Sequence, residues 1–151
     1  MPVGRWRRPR RDPAVEAAWA GFLRFAKALD EGSRALLATV PSARRPGAPL
    51  EAGVAGFLAG LEAARAELPA WALPELTGAQ AASAAALDAA AGRARDLPVA
   101  TAGLEFEHRN DRVAEVLDEL LPVQAAEQTL RDLRRRRYPA RAGGRHTRQG
   151  R

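Results

Sequence analysis

The densest group of side chains that can do chemistry is the run from residue 105 to residue 111, which reads Glu-Phe-Glu-His-Arg-Asn-Asp. Glu105 and His108 are three residues apart, a spacing that places a carboxylate and an imidazole on one face of a helix. Bundles that bind two iron atoms use this pair, but they need two such pairs and further carboxylates from facing helices. The chain has no second pair. A metal- or small-ligand-binding bundle is therefore a second alternative, and no metal ligand is assigned.

Catalysis by acid–base or nucleophilic groups needs side chains positioned together, and the sequence offers no such pattern. Adjacent acids occur at residues 30–31 and 118–119, but adjacent residues on a helix point in different directions. The serines are Ser33, Ser42 and Ser83, and none lies in a nucleophile elbow. The chain has no cysteine, so disulfides and thiolate metal sites are excluded. We therefore expect a non-catalytic protein with no cofactor.

Arginine is the other residue type that can act on a ligand, and it is concentrated at the two ends of the chain. Residues 1–11 contain five arginines and no acid, and residues 134–151 contain eight arginines and no acid. Residues 12–133 hold all 18 acids against 11 basic residues, a net charge of −7. Mobile arginines bind phosphates without sequence preference, and aromatic rings can stack on bases. The candidate phosphate or nucleic-acid contacts are Trp6, Arg7, Arg8, Arg134, Arg135, Arg136, Arg137 and Tyr138.

The arginine-rich ends also have a plainer interpretation. Runs of like charge are usually solvated, and these segments could equally fold back onto the acidic body. No helix-turn-helix spacing is present, and an acidic body repels DNA except through its basic ends. The first hypothesis is therefore a small non-catalytic helical bundle that acts as an interaction or accessory module, with a protein partner or self-association open. A nucleic-acid-associated protein is the alternative.

Composition predicts that helices position these residues. Alanine is very common, whereas β-branched and aromatic residues are scarce, which favours helix over sheet. Four amphipathic segments joined by loops predict an all-α, antiparallel up-down-up-down four-helix bundle. The predicted domains are a disordered basic N-terminal tail at 1–11, the four-helix bundle at 12–137, and a disordered basic C-terminal tail at 138–151.

The first two predicted helices have the strongest hydrophobic patterns. Asp12 is a suitable N-cap and Pro13 suits the first helical position, so we expect one helix from there to about Thr39. The second helix is predicted from Leu50 to Glu67. Apolar residues recur along both helices at steps of three, four and seven, the spacing of one buried face: Val15, Phe22, Leu29 and Leu36 in the first, and Leu50, Val54, Phe57, Leu61, Ala64, Leu68 and Trp71 in and after the second.

Glycines inside the second helix predict a close approach of another element. Each glycine costs roughly 1 kcal/mol relative to alanine in a helix interior, so something must pack closely there. We expect the line Ala52, Gly56 and Gly60 to face the first helix near Trp19 or Phe22. Gly56→Leu should then destabilise the fold by ~1–3 kcal/mol through overpacking. A slot for an apolar ligand is the alternative interpretation of this line.

The later helices are predicted with less regular patterns. The third helix begins at Pro74 or, if Thr77 is its N-cap with Gln80 three residues on, slightly later. It stops before Pro98 and has mostly alanine to bury, so we expect it to be the least firmly held. Its predicted buried positions are Leu73, Leu76, Gln80, Ala84, Leu87, Ala91 and Ala94. The last helix begins near Glu105 or at an Asn110 cap and is kinked or split at Pro122, which lacks a backbone N–H. Its apolar face comprises Val113, Val116, Leu117, Leu120, Leu121, Val123, Leu130 and Leu133.

Hydropathy and arginine content indicate where the protein resides and what kind of genome encodes it. No apolar run approaches the ~20 residues of a transmembrane helix. The N-terminal arginines are not followed by the apolar region of a secretory signal, so we expect a cytoplasmic protein. A single lysine beside twenty-three arginines, with abundant alanine and glycine, indicates a GC-rich bacterial genome.

Overall fold

The computed structural model describes residues 11–136, which form five α-helices and two short 3-10 helices. The α-helices are α1 (Pro13–Leu37), α2 (Leu50–Glu67), α3 (Thr77–Ala100), α4 (Phe106–Asp118) and α5 (Val123–Arg136), and 3-10 helices at Leu68–Trp71 and Pro74–Leu76 join α2 to α3. The all-α prediction is confirmed, with α4 and α5 as the two halves of the split last helix. The predicted disordered tails fall almost entirely on residues 1–10 and 137–151, outside the described part. Within that part, no helix is long and apolar enough to cross a membrane.

Helix α1 is one continuous helix, as predicted, and ends at Leu37. The Asp12 carboxylate accepts hydrogen bonds from the backbone N–H groups of Ala14, at 2.9 Å, and Val15, at 3.4 Å. This cap satisfies two of the donors that the first turn leaves unpaired. The predicted apolar positions of α1 are buried, and so are most of those in and after α2, where Leu50 and Leu68 are half-buried.

Four arginine–carboxylate pairs each connect two neighbouring helices of the bundle. The pairs are Arg24–Glu67 between α1 and α2, Arg65–Asp88 between α2 and α3, Arg93–Glu119 between α3 and the end of α4, and Arg134–Glu16 between α5 and α1. These side chains keep about a quarter to three-quarters of their surface in water. Such pairs contribute no more than about 1 kcal/mol each, so their main effect is on which helix faces lie together.

The glycines of α2 pack against α1, as predicted, but at a different place. A Cβ added to Gly60 would lie 2.6 Å from the Cα of Gly32, and one added to Gly56 would lie 2.7 Å from the Cβ of Ala35. Gly53 similarly faces Thr39. Along these contacts the residue numbers decrease in α1 as they increase in α2. The two helices therefore run in opposite directions, and their backbones are almost in contact.

This register corrects two details of the predicted close-packing line. The loop at 38–49 fixes which residues of the two helices can meet, so the middle of α2 faces the second half of α1. Trp19 and Phe22 lie beyond the end of α2, where the ring of Phe22 is 5.2 Å from that of Trp71. Ala52 is exposed, and Gly53, one position on, takes the place that was predicted for it.

The aromatic part of the core lies where the first 3-10 helix crosses α1. Trp71 and Phe25 are fully buried, and their ring centroids are 4.6 Å apart in an edge-to-face arrangement. Such pairs add roughly 0.5–1.5 kcal/mol to the burial of their area. The short connector after α2 is therefore part of the core, which explains why the α2 pattern continues past the end of the helix.

Helix α3 continues through Pro98 to Ala100, so the predicted stop before this proline is wrong. Pro98 lies in the last turn of α3; its φ fits a helix, but it cannot donate a hydrogen bond to the carbonyl of Ala94, and its ring crowds that carbonyl. The next turn is closed by Thr101, whose backbone N–H and hydroxyl both donate to the carbonyl of Leu97, at 2.9 and 2.6 Å. The buried face of α3 also differs from the predicted one, since Ser83, Ala86, Ala90 and Leu97 are buried whereas Gln80, Ala84 and Ala91 are half-buried.

The split between α4 and α5 occurs at the turn of residues 119–122. Glu105 is the N-cap residue of α4, in agreement with the first of the two predicted starts. Leu121 lies in the turn and is 54% exposed, so its predicted place on the buried face is wrong. Leu117 and Leu120 are half-buried, and the other predicted positions of this face are buried.

Candidate nucleic-acid interface

The start of α1 and the end of α5 lie side by side. Glu16, in the first turn of α1, contacts both Arg11, at 3.8 Å, and Arg134, at 3.1 Å. Residues 1–10 and 137–151 are therefore attached to the bundle at the same end. We call this the tail-bearing end and define it by residues 11–19 and 131–136.

Two arginines of α5 are held against α1. The guanidinium of Arg134 donates from Nε and Nη2 to the two carboxylate oxygens of Glu16, at 3.1 and 3.4 Å. The same group lies 4.7 Å from the ring centroid of Trp19, and the guanidinium of Arg131 lies 5.6 Å from it. Arg131 also donates to Glu127 at 2.6 Å. Cation–π contacts of this kind contribute ~0.5–1 kcal/mol at exposed sites. Together with the ion pair to Glu16, they stabilise the packing of the end of α5 against α1.

The next two arginines point away from this contact. The side chain of Arg135 is 75% exposed and reaches Asp132 only at 4.0 Å. Arg136 is exposed and makes no ion pair within residues 11–136. Because α5 buries Val123, Ala126, Leu130 and Leu133 against the bundle, its residues 135 and 136 fall on the solvent side. These two guanidinium groups can meet a phosphate without breaking a close internal contact.

The structure thus sorts the predicted contact residues. It brings Arg134, Arg135 and Arg136 to one end of the bundle, but Arg134 is engaged internally and the other two are available. Trp6, Arg7, Arg8, Arg137 and Tyr138 lie outside the described residues. Their connection to the tail-bearing end follows from the chain itself.

Sequence reasoning missed the contact between Glu16, Trp19, Arg131 and Arg134. The available signal was spacing: Glu16 and Trp19 are three apart, as are Arg131 and Arg134, so each pair shares a helix face. That spacing does not tell which two helix faces meet, since Glu16 and Arg134 are 118 residues apart along the chain. Only the fold supplies the pairing.

The Glu105 and His108 pair lies at the exposed start of α4, far from the arginine cluster in the fold. Across residues 11–136, no three or more His, Cys, Asp or Glu side chains are grouped so that they could hold a metal ion. Comparison with known proteins finds no matching family, curated protein or solved structure. The case for a function therefore comes from the residues themselves.

Proposed function

We propose that this protein is a non-catalytic helical module that associates with nucleic acid through the arginines of its tail-bearing end. The observation that carries the proposal is the position of the two chain exits, which attaches both arginine-rich segments to the same end of the bundle. Thirteen arginines belong to residues 1–11 and 134–151, whereas the rest of the chain carries a net charge of −7. The two terminal segments are therefore strongly positive, and the rest of the chain is acidic.

This division of charge favours one orientation on a polyanion. Phosphates attract the arginine-rich segments and release counterions when they bind, while the acidic body is repelled from the same surface. The bundle would then stand off the nucleic acid and remain accessible to other partners. Binding of this kind has no base readout, so we expect little dependence on sequence.

The arginines of α5 would have two different roles. Arg131 and Arg134 hold the end of α5 against Trp19 and Glu16. Arg135 and Arg136 are available to contact phosphates. A cytoplasmic location, inferred from the sequence, belongs to the same proposal.

Fluorescence anisotropy with a labelled 20-base-pair DNA duplex tests the proposal. The full chain should bind at low salt, and the logarithm of its affinity should fall linearly with the logarithm of salt concentration. Replacing Arg135 and Arg136 by glutamine should reduce that slope by about 0.9 for each phosphate that is no longer neutralised. Arg95→Gln is the matched control, because Arg95 is exposed on α3 and makes no ion pair with the described residues. Absence of binding at about 50 mM salt, or a slope that the double variant leaves unchanged, would contradict the proposal.

Association with a protein partner or with a second copy, the first hypothesis from the sequence, stays a prediction. Sedimentation velocity over a range of concentrations tests the second of these. A species that remains monomeric at every concentration would exclude self-association and would leave the nucleic-acid proposal intact.

A further inference from the structure

The end of the bundle opposite the tails contains a cavity of about 190 Å³. We call it the loop-end cavity, since it lies where α1 and α3 end and where α2 and α4 begin. Its walls come from the loop after α1, the first residue of α2, Thr101 after α3, and the first two turns of α4. It involves none of the residues of the tail-bearing end.

One wall of the cavity is a loop held in place by backbone hydrogen bonds. The N–H of Ala48 donates to the carbonyl of Ala38 at 2.8 Å, and Ser42 and Arg45 exchange backbone hydrogen bonds at 2.9 and 3.2 Å. A Cβ on Gly47 would collide with the carbonyl oxygen of Thr39, so a side chain would displace the loop. A ligand would therefore meet a wall that is already formed, which lowers the entropic cost of binding.

The lining of the cavity combines apolar side chains with polar groups that can orient a ligand. Val40, Leu50, Phe106 and Val113 supply apolar surface. The two buried threonines that also line the cavity already donate their hydroxyl protons to carbonyls of the preceding turn, each at 2.6 Å. The side-chain donors that the described residues leave available are the guanidinium and the carboxamide of the adjacent residues 109 and 110.

Arg109 is the one arginine among the described residues that line the cavity, and its side chain makes no ion pair with them. Most arginines of the bundle contact a carboxylate, and Arg112, one turn further along α4, bonds Glu115 at 3.0 Å. The backbone N–H of Arg109 donates to the carbonyl of Glu105 at 3.0 Å, whereas its exposed side chain makes no ion pair or hydrogen bond with the part of the chain that the structure describes. A guanidinium in this position has its donors available for an incoming acid.

We infer that the loop-end cavity binds a small carboxylate with an apolar body. An arginine fork matches the two oxygens of a carboxylate, the carboxamide of Asn110 offers a further donor, and the apolar walls take the rest of the molecule. A cavity of ~150 Å³ accommodates benzene, so this cavity suits a body of about that size, such as an aromatic or branched aliphatic acid. The inference does not depend on nucleic-acid binding.

Benzoate is the probe, and amide chemical shifts of the isotopically labelled full chain are the readout. Shifts at Thr39, Thr101 and Val113 should saturate, with a dissociation constant on the order of 1 mM for so small a ligand. Acetate lacks the apolar body and benzyl alcohol lacks the charge, so both should bind more weakly than benzoate. No saturable shift at these residues, or equal binding of the three compounds, would overturn the inference.

Arg109→Gln should weaken benzoate binding about tenfold or more, because it removes a charge-assisted pair. Arg95→Gln is the matched control and should bind benzoate as the unaltered chain does. Since the Arg109 side chain makes no ion pair or hydrogen bond with the described residues, its replacement should leave the thermal midpoint unchanged. Equal loss of affinity in both variants would indicate a general effect of net charge and would overturn the assignment of Arg109.

Discussion

Gly60→Ala tests the close approach of α1 and α2 most directly. A Cβ at this position would lie 2.6 Å from the Cα and 2.9 Å from the N of Gly32, and 2.9 Å from the carbonyl oxygen of Ala28. All three atoms belong to the backbone of α1, so no side-chain rotation can relieve the overlap. Gly56 is a weaker test, since its one close neighbour is the methyl group of Ala35.

Two opposing effects determine how much Gly60→Ala changes the free energy of unfolding. Alanine is favoured over glycine inside a helix by ~1 kcal/mol. Overpacking costs ~1–3 kcal/mol, and an overlap with rigid backbone belongs near the upper end of that range. The net result should be a loss of about 2 kcal/mol, which corresponds to a fall of roughly 8 °C in Tm for a domain of this size.

Urea unfolding followed by helical circular dichroism measures this loss. The unfolding midpoint should fall while the slope m stays constant, because the same surface is exposed on unfolding. Gly92→Ala is the matched control, since a Cβ on this α3 glycine would have no atom within 4 Å, and it should stabilise the fold by ~0.5–1 kcal/mol. If Gly60→Ala were as stable as Gly92→Ala, the two helix backbones could not be in contact.

Three further outcomes follow from the packing. Ser83→Ala should raise the free energy of unfolding by ~1 kcal/mol in urea titrations, because the fully buried Ser83 hydroxyl has no hydrogen-bond partner in the described structure and leaving it unsatisfied is costly. Glu16→Gln should lower stability by ~0.5–1 kcal/mol and tighten DNA binding by freeing Arg134; weaker binding in the anisotropy assay would contradict this. Amides of α3 should exchange with deuterium faster than those of α1, since α3 buries mainly serine and alanine whereas α1 buries two phenylalanines; equal protection by NMR would contradict this.

Much of the fold follows from local rules that act within one helix. The Asp12 cap, the repeat of large apolar residues in α1 and α2, and the break at Pro122 each depend on neighbouring residues, and the structure agrees with them. What could not be predicted depends on distant residues. The partner of the α2 glycines, the continuation of α3 through Pro98, and the contact of Arg134 with Glu16 each depend on register, on the closure of a turn, or on which helix faces meet.

The candidate site also has some features that the sequence predicts and others that depend on contacts between distant residues. Charge counting in the sequence is sufficient to select both arginine-rich ends, because net charge needs no fold. It cannot tell that both ends attach to one end of the bundle, nor that Arg134 is engaged while Arg136 is available. The loop-end cavity has no sequence signal at all, since its residues come from four separate segments.

The two proposed sites should act independently, because they lie at opposite ends of the bundle. Helix α1 has 25 residues, and a rise of 1.5 Å per residue makes it about 37 Å long. Charges at that separation are screened at physiological ionic strength, where the Debye length is about 8 Å. DNA affinity should therefore be unchanged, within about twofold, when benzoate saturates the cavity at constant ionic strength. A larger change would mean that packing along α1 or α4 and α5 couples the two ends, since the electrostatic field cannot.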